Sequence, residues 1–222
     1  MHCPRCSWLP GEKTLMMRVV VPLEPAYWRS VVKSIGKEKI PVLPYIPRRR
    51  ETPSRELKVH SAWNGIQNIL ADIIERFHLK TDRCLEFGVE FGFSTVALSS
   101  YFDSVTGVDI FVGDKHTVNR EDIYEQTLNR LLPYTNINLV RSDYREFILG
   151  RSEFYDLIHV DIVHTFADTF ACGLWSAQHS QCTIFHDTRS FPQVKQAVIE
   201  VARATGKQFY NFRGSWGLGI LV

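Results

Sequence analysis

The feature that most constrains the fold is the stretch 83–111, in which two apolar segments of strand length flank a glycine turn and a helix-like segment. The first apolar segment runs into Gly88 and Gly92, and the second ends on Asp109. This order predicts two parallel strands joined by a crossover helix. Because ligands bind outside the carboxyl ends of the strands in such sheets, we expect the glycine turn and Asp109 on the binding edge.

The spacing of the glycines indicates which ligand suits this turn. A dinucleotide fingerprint needs glycine at its first, third and sixth positions, but counting from Gly88 these later positions hold Glu90 and Phe93. A carboxylate there would repel a diphosphate, whereas the sulfonium and amino groups of S-adenosylmethionine favour an acidic pocket. Asp109 follows Gly88 by 21 residues, a distance suited to a carboxylate that accepts the ribose hydroxyls. A βαβ unit with another nucleotide-like ligand, or with none, stays open.

The segment 86–95, Glu-Phe-Gly-Val-Glu-Phe-Gly-Phe-Ser-Thr, resembles the first motif of class I S-adenosylmethionine-dependent methyltransferases. Its likeness is greatest to the catechol and macrocin O-methyltransferase-like branch, which acts on small molecules, and it extends over residues 61–222. Glu90 replaces the middle glycine of the wider family. The resemblance implies that Glu86 and Gly88 hold the methionine part of the cofactor, and that Ser142 and Asp143 contact its adenine. Together with the spacing argument, the predicted cofactor-binding residues are Glu86, Gly88, Glu90, Gly92, Ser94, Asp109, Ser142, Asp143 and Asp161.

Local patterns place helices and strands along the rest of the chain. Ser61 and the pair Ser94 and Thr95 stand where helices would be N-capped. Helices are predicted over 61–79, 119–132, 144–149, 166–178 and 192–204, and strands over 84–89, 105–110, 138–140, 155–160, 182–185, 208–212 and 218–222.

The strands alternate with helices until the last pair, and this order predicts the fold class. The connection 213–215 is too short for a parallel crossover, which needs a dozen or more residues, so the last strand must run antiparallel. We therefore predict an α/β, Rossmann-like, seven-stranded and mostly parallel sheet, with the last strand antiparallel and helices on both faces.

Acidic residues follow the predicted strands, and two of them suggest a metal site. The pair Asp161 and His164 resembles the family motif after the fourth strand, and His186-Asp187 resembles the motif that closes the fifth. In catechol-type enzymes the corresponding carboxylates bind a divalent cation, so the resemblance implies Mg²⁺ on Asp161, Asp187 and the neighbouring Thr188. His186 itself is expected to be structural.

His164 is the candidate catalytic residue. It lies three residues past Asp161 on the expected cofactor edge, and histidine titrates near neutral pH. It could remove the proton of an acceptor hydroxyl before methyl transfer. A helix-capping or structural role for His164 is the open alternative.

The first 60 residues differ from the remainder in charge. Residues 1–60 hold 12 Lys and Arg against 5 Asp and Glu, a net charge of +7, whereas residues 61–222 hold 14 against 19, a net charge of −5. We therefore predict a basic, proline-rich N-terminal extension over 1–60 and a methyltransferase domain over 61–222. The extension could close the active site, contact a second subunit in a homodimer, bind nucleic acid or pack on its own domain.

Composition limits the class of protein and the cell compartment that we expect for this chain. The chain is 45% hydrophobic and 23% charged, ordinary values for a globular protein, and no apolar run approaches a membrane span. Five scattered cysteines, with Cys3 and Cys6 as a lone CxxC, favour reduced thiols in a cytoplasm. The function predicted is O-methylation of a small hydroxylated molecule. The alternatives are a nucleic-acid methyltransferase that uses the basic arm, and a non-enzymatic or NAD-linked Rossmann-like module.

Overall fold

A computed structural model describes residues 39–113 and 121–222 as one α/β sheet with its helices. The helices are α1 (Leu70–Arg76, preceded by a 3₁₀ turn at Gln67–Ile69), α2 (Phe93–Leu98), α3 (Tyr124–Leu131), α4 (Tyr144–Phe147), α5 (Phe166–Gln178) and α6 (Pro192–Thr205). The strands are β1 (Val42–Pro44), β2 (Arg83–Phe87), β3 (Ser104–Asp109), β4 (Ile137–Arg141), β5 (Tyr155–Val160), β6 (Ser180–His186), β7 (Phe209–Phe212) and β8 (Leu218–Leu221).

The sheet confirms the predicted class, with one strand more than expected. Its order is β1-β7-β8-β6-β5-β2-β3-β4, and only β8 runs antiparallel to its neighbours. The short connection between β7 and β8 forces that reversal, as predicted. The extra strand is β1, which pairs in parallel with β7 at the edge of the sheet, so the sheet has eight strands and not seven. A three-residue strand gives too little alternation to be recognised in a sequence.

Helices cover both faces of the sheet and enclose two apolar cores. One core joins α4, α5 and α6 to the sheet through residues such as Phe147, Trp175 and Val198. The other joins the 3₁₀ turn, α1 and α2 to the opposite face through residues such as Ile69 and Leu98. The strands in the middle of the sheet are therefore covered by apolar side chains on both sides, as their continuous hydrophobic sequences require.

The two predicted helix starts were wrong. Residues 61–66 form turns, and the helix predicted over 61–79 reduces to the 3₁₀ turn and α1. The hydroxyl of Ser61 accepts a hydrogen bond from the backbone N–H of Trp63 within these turns, at 3.1 Å. Helix α2 begins after Gly92, which has φ +87° and is its N-cap, and no side chain caps it. Ser94 and Thr95 lie inside that helix and are buried.

The described part of the predicted extension packs closely on the domain. Beyond β1, the Tyr45 hydroxyl donates to the buried carboxylate of Asp72. The Arg55 guanidinium donates to Asn136 Oδ1 at 2.5 Å and to the Ser99 carbonyl at 2.9 Å. These contacts tie residues 42–55 to the sheet, to α1 and to the end of α2, whereas the boundary at residue 60 itself stays a prediction.

Some predicted features lie outside the described residues. They are the CxxC at Cys3 and Cys6, most of the basic extension, and the first residues of the helix predicted over 119–132, which the structure shows from Tyr124. Within the two described ranges, no helix has the length and apolar character needed to cross a bilayer.

Candidate active site

The glycine turn after β2 packs against the end of β5. Gly88 has φ +90°, and a Cβ atom on it would lie 1.8 Å from the backbone oxygen of Asp161. No side chain fits there, so glycine is required by both space and conformation. Glu90 also has a positive φ, +50°, at the position where the wider family has its middle glycine. Gly92 completes the turn, with the side chain of Leu131 close to where its Cβ would be.

Asp109, at the carboxyl end of β3, holds this turn from the other side. Its Oδ2 accepts the backbone N–H groups of Val89 at 2.7 Å and Glu90 at 2.9 Å, and its Oδ1 accepts that of Phe111 at 2.7 Å. An ionised carboxylate offers about four lone-pair sites, so one acceptor site stays available beyond these three bonds. The structure therefore gives Asp109 a role in shaping the turn, and its contact with ribose stays a prediction.

Glu86 lies beneath the turn and is fully buried. One carboxylate oxygen accepts the hydroxyl of Thr95, and the other lies 2.9 Å from Nδ1 of His159 on β5. His159 Nε2 in turn lies 3.1 Å from the indole nitrogen of Trp63. Because an indole N–H can only donate, Nε2 must accept and Nδ1–H must donate to Glu86. Glu86 is thus bonded inside the fold beneath the turn, and its predicted contact with the methionine part of the cofactor stays a prediction.

Trp63 and His159 were not among the residues predicted from the sequence. A signal existed for His159, which interrupts the apolar strand 155–160, but an isolated polar residue in a strand does not reveal its partner. Trp63 comes from the turns before α1, and its indole nitrogen lies 3.1 Å from His159 on β5. The chain of hydrogen bonds from Trp63 to Glu86 therefore joins three distant parts of the sequence.

The edge above the turn is acidic. Partial desolvation raises the pKa of the Glu90 carboxyl, and the charges of Asp161 and Asp109 raise it further, against an opposing effect of His60. A raised pKa caused by neighbouring carboxylates shows that these groups repel each other. A bound cation would relieve this repulsion, and a bound phosphate would increase it.

The remaining cofactor candidates lie at or near this edge with internal partners. Asp143 N-caps α4 through the backbone N–H of Arg145, at 2.8 Å, and also binds the Arg145 guanidinium at 3.0 Å. The backbone N–H of Ser142 donates to the Asp109 carbonyl at 3.0 Å, which links the ends of β4 and β3. Ser94 is buried within α2. The structure therefore brings Ser142 beside Asp109, but leaves Ser94 inside the fold.

Two carboxylates and two imidazoles meet where β5 and β6 end. His164 Nε2 lies 3.0 Å from Asp187 Oδ2 and 3.6 Å from Asp161 Oδ1. His186 Nδ1 lies 3.1 Å from Asp161 Oδ2 and 3.2 Å from Asp187 Oδ2. We call these four residues the Asp–His cluster. His186, expected to be structural, is a full member of it.

Mutual charge stabilisation shifts all four pKa values in the Asp–His cluster. Burial alone would raise the pKa of the two carboxyls, but the histidines outweigh it and hold both well below their usual range. Burial alone would lower the pKa of the two imidazoles, but the aspartates raise that of His164 to about 9 and that of His186 to about 10. At neutral pH the cluster therefore holds two negative and two positive charges.

Of the three predicted magnesium ligands, Asp161 and Asp187 come together, whereas the Thr188 hydroxyl bonds elsewhere. Thr188 is buried, and its hydroxyl donates to Asn211 Oδ1 at 2.6 Å. The third side chain beside the two carboxylates is His164, and the ligand atoms of Asp161, His164 and Asp187 lie within 4.8 Å of one another. A part for Thr188 in a metal site stays a prediction, and in this structure its hydroxyl is bound to a partner on β7.

Comparisons with known proteins support the fold. Neither a scan against models of protein families nor a search of curated proteins finds a match. Among solved structures, a candidate O-methyltransferase from Klebsiella pneumoniae has a TM-score of 0.52 at 16% identity, over 75% of this chain and 82% of its own.

Two further solved structures carry cofactors. CalS10, an amino pentose methyltransferase from Micromonospora echinaspora solved with S-adenosylmethionine, has a TM-score of 0.54 at 12% identity, over 72% of this chain and 91% of its own. A candidate methyltransferase from Streptococcus mutans, solved with S-adenosylhomocysteine, has a TM-score of 0.51 at 13% identity, over 68% of this chain and 96% of its own. The chain therefore has the Rossmann-like fold of the class I S-adenosylmethionine-dependent methyltransferases.

Proposed function

We propose that the protein is an S-adenosylmethionine-dependent methyltransferase that methylates an oxygen of a small hydroxylated molecule. The observation that carries this proposal is the acidic glycine turn, in which Gly88 packs on Asp161 and Glu90 lies above it. This turn lies at the carboxyl edge of a methyltransferase-type sheet, next to the Asp–His cluster. The proposed cofactor turn thus lies beside a histidine that can act as a base once it has lost its proton.

The residues at the edge fit a cationic nucleoside better than a dinucleotide. The carboxylates of Asp109 and Asp161 lie close enough to that of Glu90 to raise its pKa. Their combined charge opposes the approach of a diphosphate and favours a sulfonium and an ammonium group. These three carboxylates therefore favour S-adenosylmethionine as the ligand and argue against NAD.

His164 is the best placed base for the acceptor. Its side chain is 17% exposed, compared with 2% for His186, so it is the more accessible of the two imidazoles in the cluster. When bound, S-adenosylmethionine supplies a methyl group on a positively charged sulfur. His164 Nε2 faces the Asp187 carboxylate at 3.0 Å and donates its hydrogen to it. The other ring nitrogen, Nδ1, therefore takes the proton of the acceptor hydroxyl, and Asp187 stabilises the imidazolium that results. Because the pKa of His164 is about 9, methyl transfer should be faster as pH rises towards that value.

The groups beside the two carboxylates do not fit the predicted magnesium site. Magnesium takes oxygen ligands, but the third side chain present is an imidazole, and the Thr188 hydroxyl binds Asn211. The proposed chemistry therefore uses His164 and not a metal ion. Full turnover in EDTA is expected, whereas a loss of turnover that added Mg²⁺ restores would reinstate the predicted metal site.

The proposal also includes a cytoplasmic location and a homodimeric assembly. Cys84, Cys172 and Cys182 are buried free thiols, which suits a protein that works in the reducing cytoplasm. The predicted homodimer would use the N-terminal extension, and size-exclusion chromatography with light scattering of the full chain tests it.

Calorimetry tests the central proposal. We expect S-adenosylmethionine and S-adenosylhomocysteine to bind and NAD not to bind. Asp109→Ala removes the acceptor of two backbone N–H groups of the turn and of the Phe111 N–H. It should weaken the binding of both sulfur ligands by at least about tenfold, the equivalent of about 1.5 kcal/mol. Binding of NAD, with no heat from either sulfur ligand, would contradict the proposal. Transfer of a labelled methyl group to a panel of hydroxylated molecules then identifies the acceptor.

A further inference from the structure

The imidazole of His164 stacks on the aromatic ring of Phe191. The two ring centroids lie 4.1 Å apart, and the ring planes are inclined by 19°. His164 lies in the connection between β5 and α5, whereas Phe191 directly precedes α6. The stack is therefore made by two separate connections that meet at the carboxyl edge of the sheet.

A second stack in the molecule has a purely local origin and serves as a comparison. The rings of Trp175 and His179, at the end of α5, have centroids 4.3 Å apart and planes inclined by 14°. Residues four apart are neighbours on the surface of a helix, and His179 Nδ1 also lies 2.8 Å from the Trp175 carbonyl. Helix geometry accounts for that stack, whereas the stack of His164 on Phe191 depends on the tertiary fold.

The turn formed by residues 187–191 carries two groups that contact the His164 ring. Asp187 Oδ2 lies 3.0 Å from His164 Nε2, at the edge of the imidazole, and Phe191 lies against its face. The backbone N–H of Phe191 donates to the Asp187 carbonyl at 3.0 Å, which closes the turn. The Ser190 hydroxyl donates to Asp187 Oδ1, so the other carboxylate oxygen is the one that faces the histidine.

The backbone of the 187–191 turn is held on both sides. The Trp216 carbonyl accepts the backbone N–H groups of Arg189 at 2.9 Å and Ser190 at 3.1 Å. Phe191 is the N-cap of α6, and its carbonyl accepts the backbone N–H of Lys195 at 3.2 Å. The partly buried Phe191 ring is therefore attached to a backbone that both the β7–β8 connection and α6 hold in place.

A single hydrogen bond does not fix the plane of the His164 imidazole. Two carboxylate oxygens lie near its Nε2, Asp187 Oδ2 at 3.0 Å and Asp161 Oδ1 at 3.6 Å, and a small tilt of the ring would turn the nitrogen from one to the other. A ring stacked on the imidazole face opposes such a tilt, because tilting separates the two surfaces. A charged imidazole is also attracted to the face of a phenyl ring. The stack therefore favours the orientation in which Nε2 points at Asp187.

We propose that Phe191 is a positioning residue for His164, because its ring holds the plane of the imidazole so that Nε2 stays on Asp187 and Nδ1 keeps one direction towards the acceptor. The inference rests on the proposed methyl transfer for the role of His164, whereas the position of the ring can be measured without an acceptor. A phenyl ring that only filled space beside α6 would affect stability and leave the imidazole where it is.

Nuclear magnetic resonance of the full chain with labelled histidine tests the stack. Protons above the face of an aromatic ring are shielded, so the Cε1–H signal of His164 should lie upfield, and its absence in His164→Gln identifies it. In one acidic buffer, Phe191→Leu should move this signal downfield and weaken the signal of the Nε2–H that bonds Asp187. The His179 signal should stay in place, because its stack on Trp175 is local.

Phe191→Tyr keeps an aromatic ring and should retain both His164 signals. If Phe191→Leu leaves them unchanged, the proposal is overturned. If that variant does not fold, nuclear Overhauser contacts between the Phe191 ring and the His164 Cε1–H in the unaltered chain decide, and their absence overturns the proposal.

The matched control is Phe77→Leu, which makes the same chemical change at the opposite edge of the sheet. Phe77 is also partly buried, directly follows α1, and has its ring centroid 5.2 Å from that of Tyr210. The melting temperature should fall in both variants, but only Phe191→Leu should alter the His164 signals. Equal changes of these signals in the two variants would show a general loosening of the fold and would overturn the proposal.

Methyl transfer separates this inference from the proposed function. With the hydroxylated molecule that the labelled-methyl panel identifies, Phe191→Leu should lower kcat by about tenfold, while the KM for S-adenosylmethionine stays within about twofold, because the base is misplaced and the cofactor is still bound. Phe191→Tyr should recover most of kcat, and an unchanged kcat in Phe191→Leu would overturn the positioning role. If S-adenosylhomocysteine does not bind and no molecule of the panel is methylated, the proposed function fails, whereas the His164 signals still decide whether Phe191 holds the ring.

Discussion

Replacing His159 with alanine tests whether the buried chain of hydrogen bonds holds the glycine turn in place. His159 is fully buried, receives the Trp63 indole N–H at 3.1 Å and donates to Glu86 at 2.9 Å. His159→Ala removes both contacts at once. It leaves an indole N–H and a carboxylate oxygen without partners in a site that water cannot easily reach.

The expected loss of unfolding free energy follows from these two unpaired polar groups and from the cavity that the imidazole leaves. Each buried group without a partner costs about 1–3 kcal/mol, and loss of the imidazole volume adds a cavity term. We expect His159→Ala to lower the free energy of unfolding by roughly 4–6 kcal/mol. Trp63→Phe leaves only one acceptor nitrogen unpaired and keeps most of the ring volume, so it should cost about 1–2 kcal/mol.

Urea unfolding followed by circular dichroism measures both effects. In the double variant, the cost of Trp63→Phe should largely disappear, because its partner is already absent. A loss below about 1 kcal/mol for His159→Ala, or full additivity in the double variant, would refute the reasoning. Calorimetry on the folded His159→Ala protein should also show weaker S-adenosylhomocysteine binding, since Glu86 no longer supports the turn from a fixed position.

Three further predictions address the turn, the cluster and the domain boundary. Gly88→Ala places a Cβ at 1.8 Å from the Asp161 backbone oxygen, so melting temperature and S-adenosylhomocysteine affinity should both fall, and unchanged values would contradict the packing. His164 and His186 have pKa values raised above the ordinary 6.5 to about 9 and about 10; their contribution to stability is full below pH 6.5 and is lost as pH rises through those values. Unfolding from pH 6.5 to 10 should show this loss, and His164→Gln should reduce it. A chain from Lys39 keeps β1, whereas a chain from Lys58 lacks it and should melt at a lower temperature; equal melting would support a boundary at residue 60.

The sequence predicted the sheet well, because strands and helices alternate with clear punctuation. Strand 155–160 and helix 166–178 have the bounds that their hydrophobic patterns indicated. The helix predicted over 61–79 failed in its first half, although Ile66 and Ile69 are buried as their spacing implied. Apolar spacing indicates which side chains are buried, but turns can bury the same residues, so the backbone conformation does not follow from it.

The site was predicted less completely, because its contacts join distant segments. Acids at strand ends could be located, since parallel strands end at one edge. Whether an acid points outwards or bonds a neighbour depends on rotamers and on loop paths. Thr188 faces Asn211, 23 residues later, and Glu86 faces His159, 73 residues later. Neither pairing leaves a pattern in the local sequence.

Asp161, which directly follows β5, links the glycine turn to the Asp–His cluster. Both parts of the site therefore depend on the end of β5. Its backbone oxygen contacts Gly88 of the glycine turn, and its carboxylate lies 3.1 Å from His186 and 3.6 Å from His164. A displacement of the turn would therefore move the residue that sets the charge of both imidazoles. Because this coupling is made by one residue through its main chain and its side chain, a variant at Gly88 can alter the proposed base without touching it. Loss of methyl transfer in such a variant, with S-adenosylhomocysteine still bound, would follow from the geometry of the turn and would not show that Gly88 contacts the acceptor.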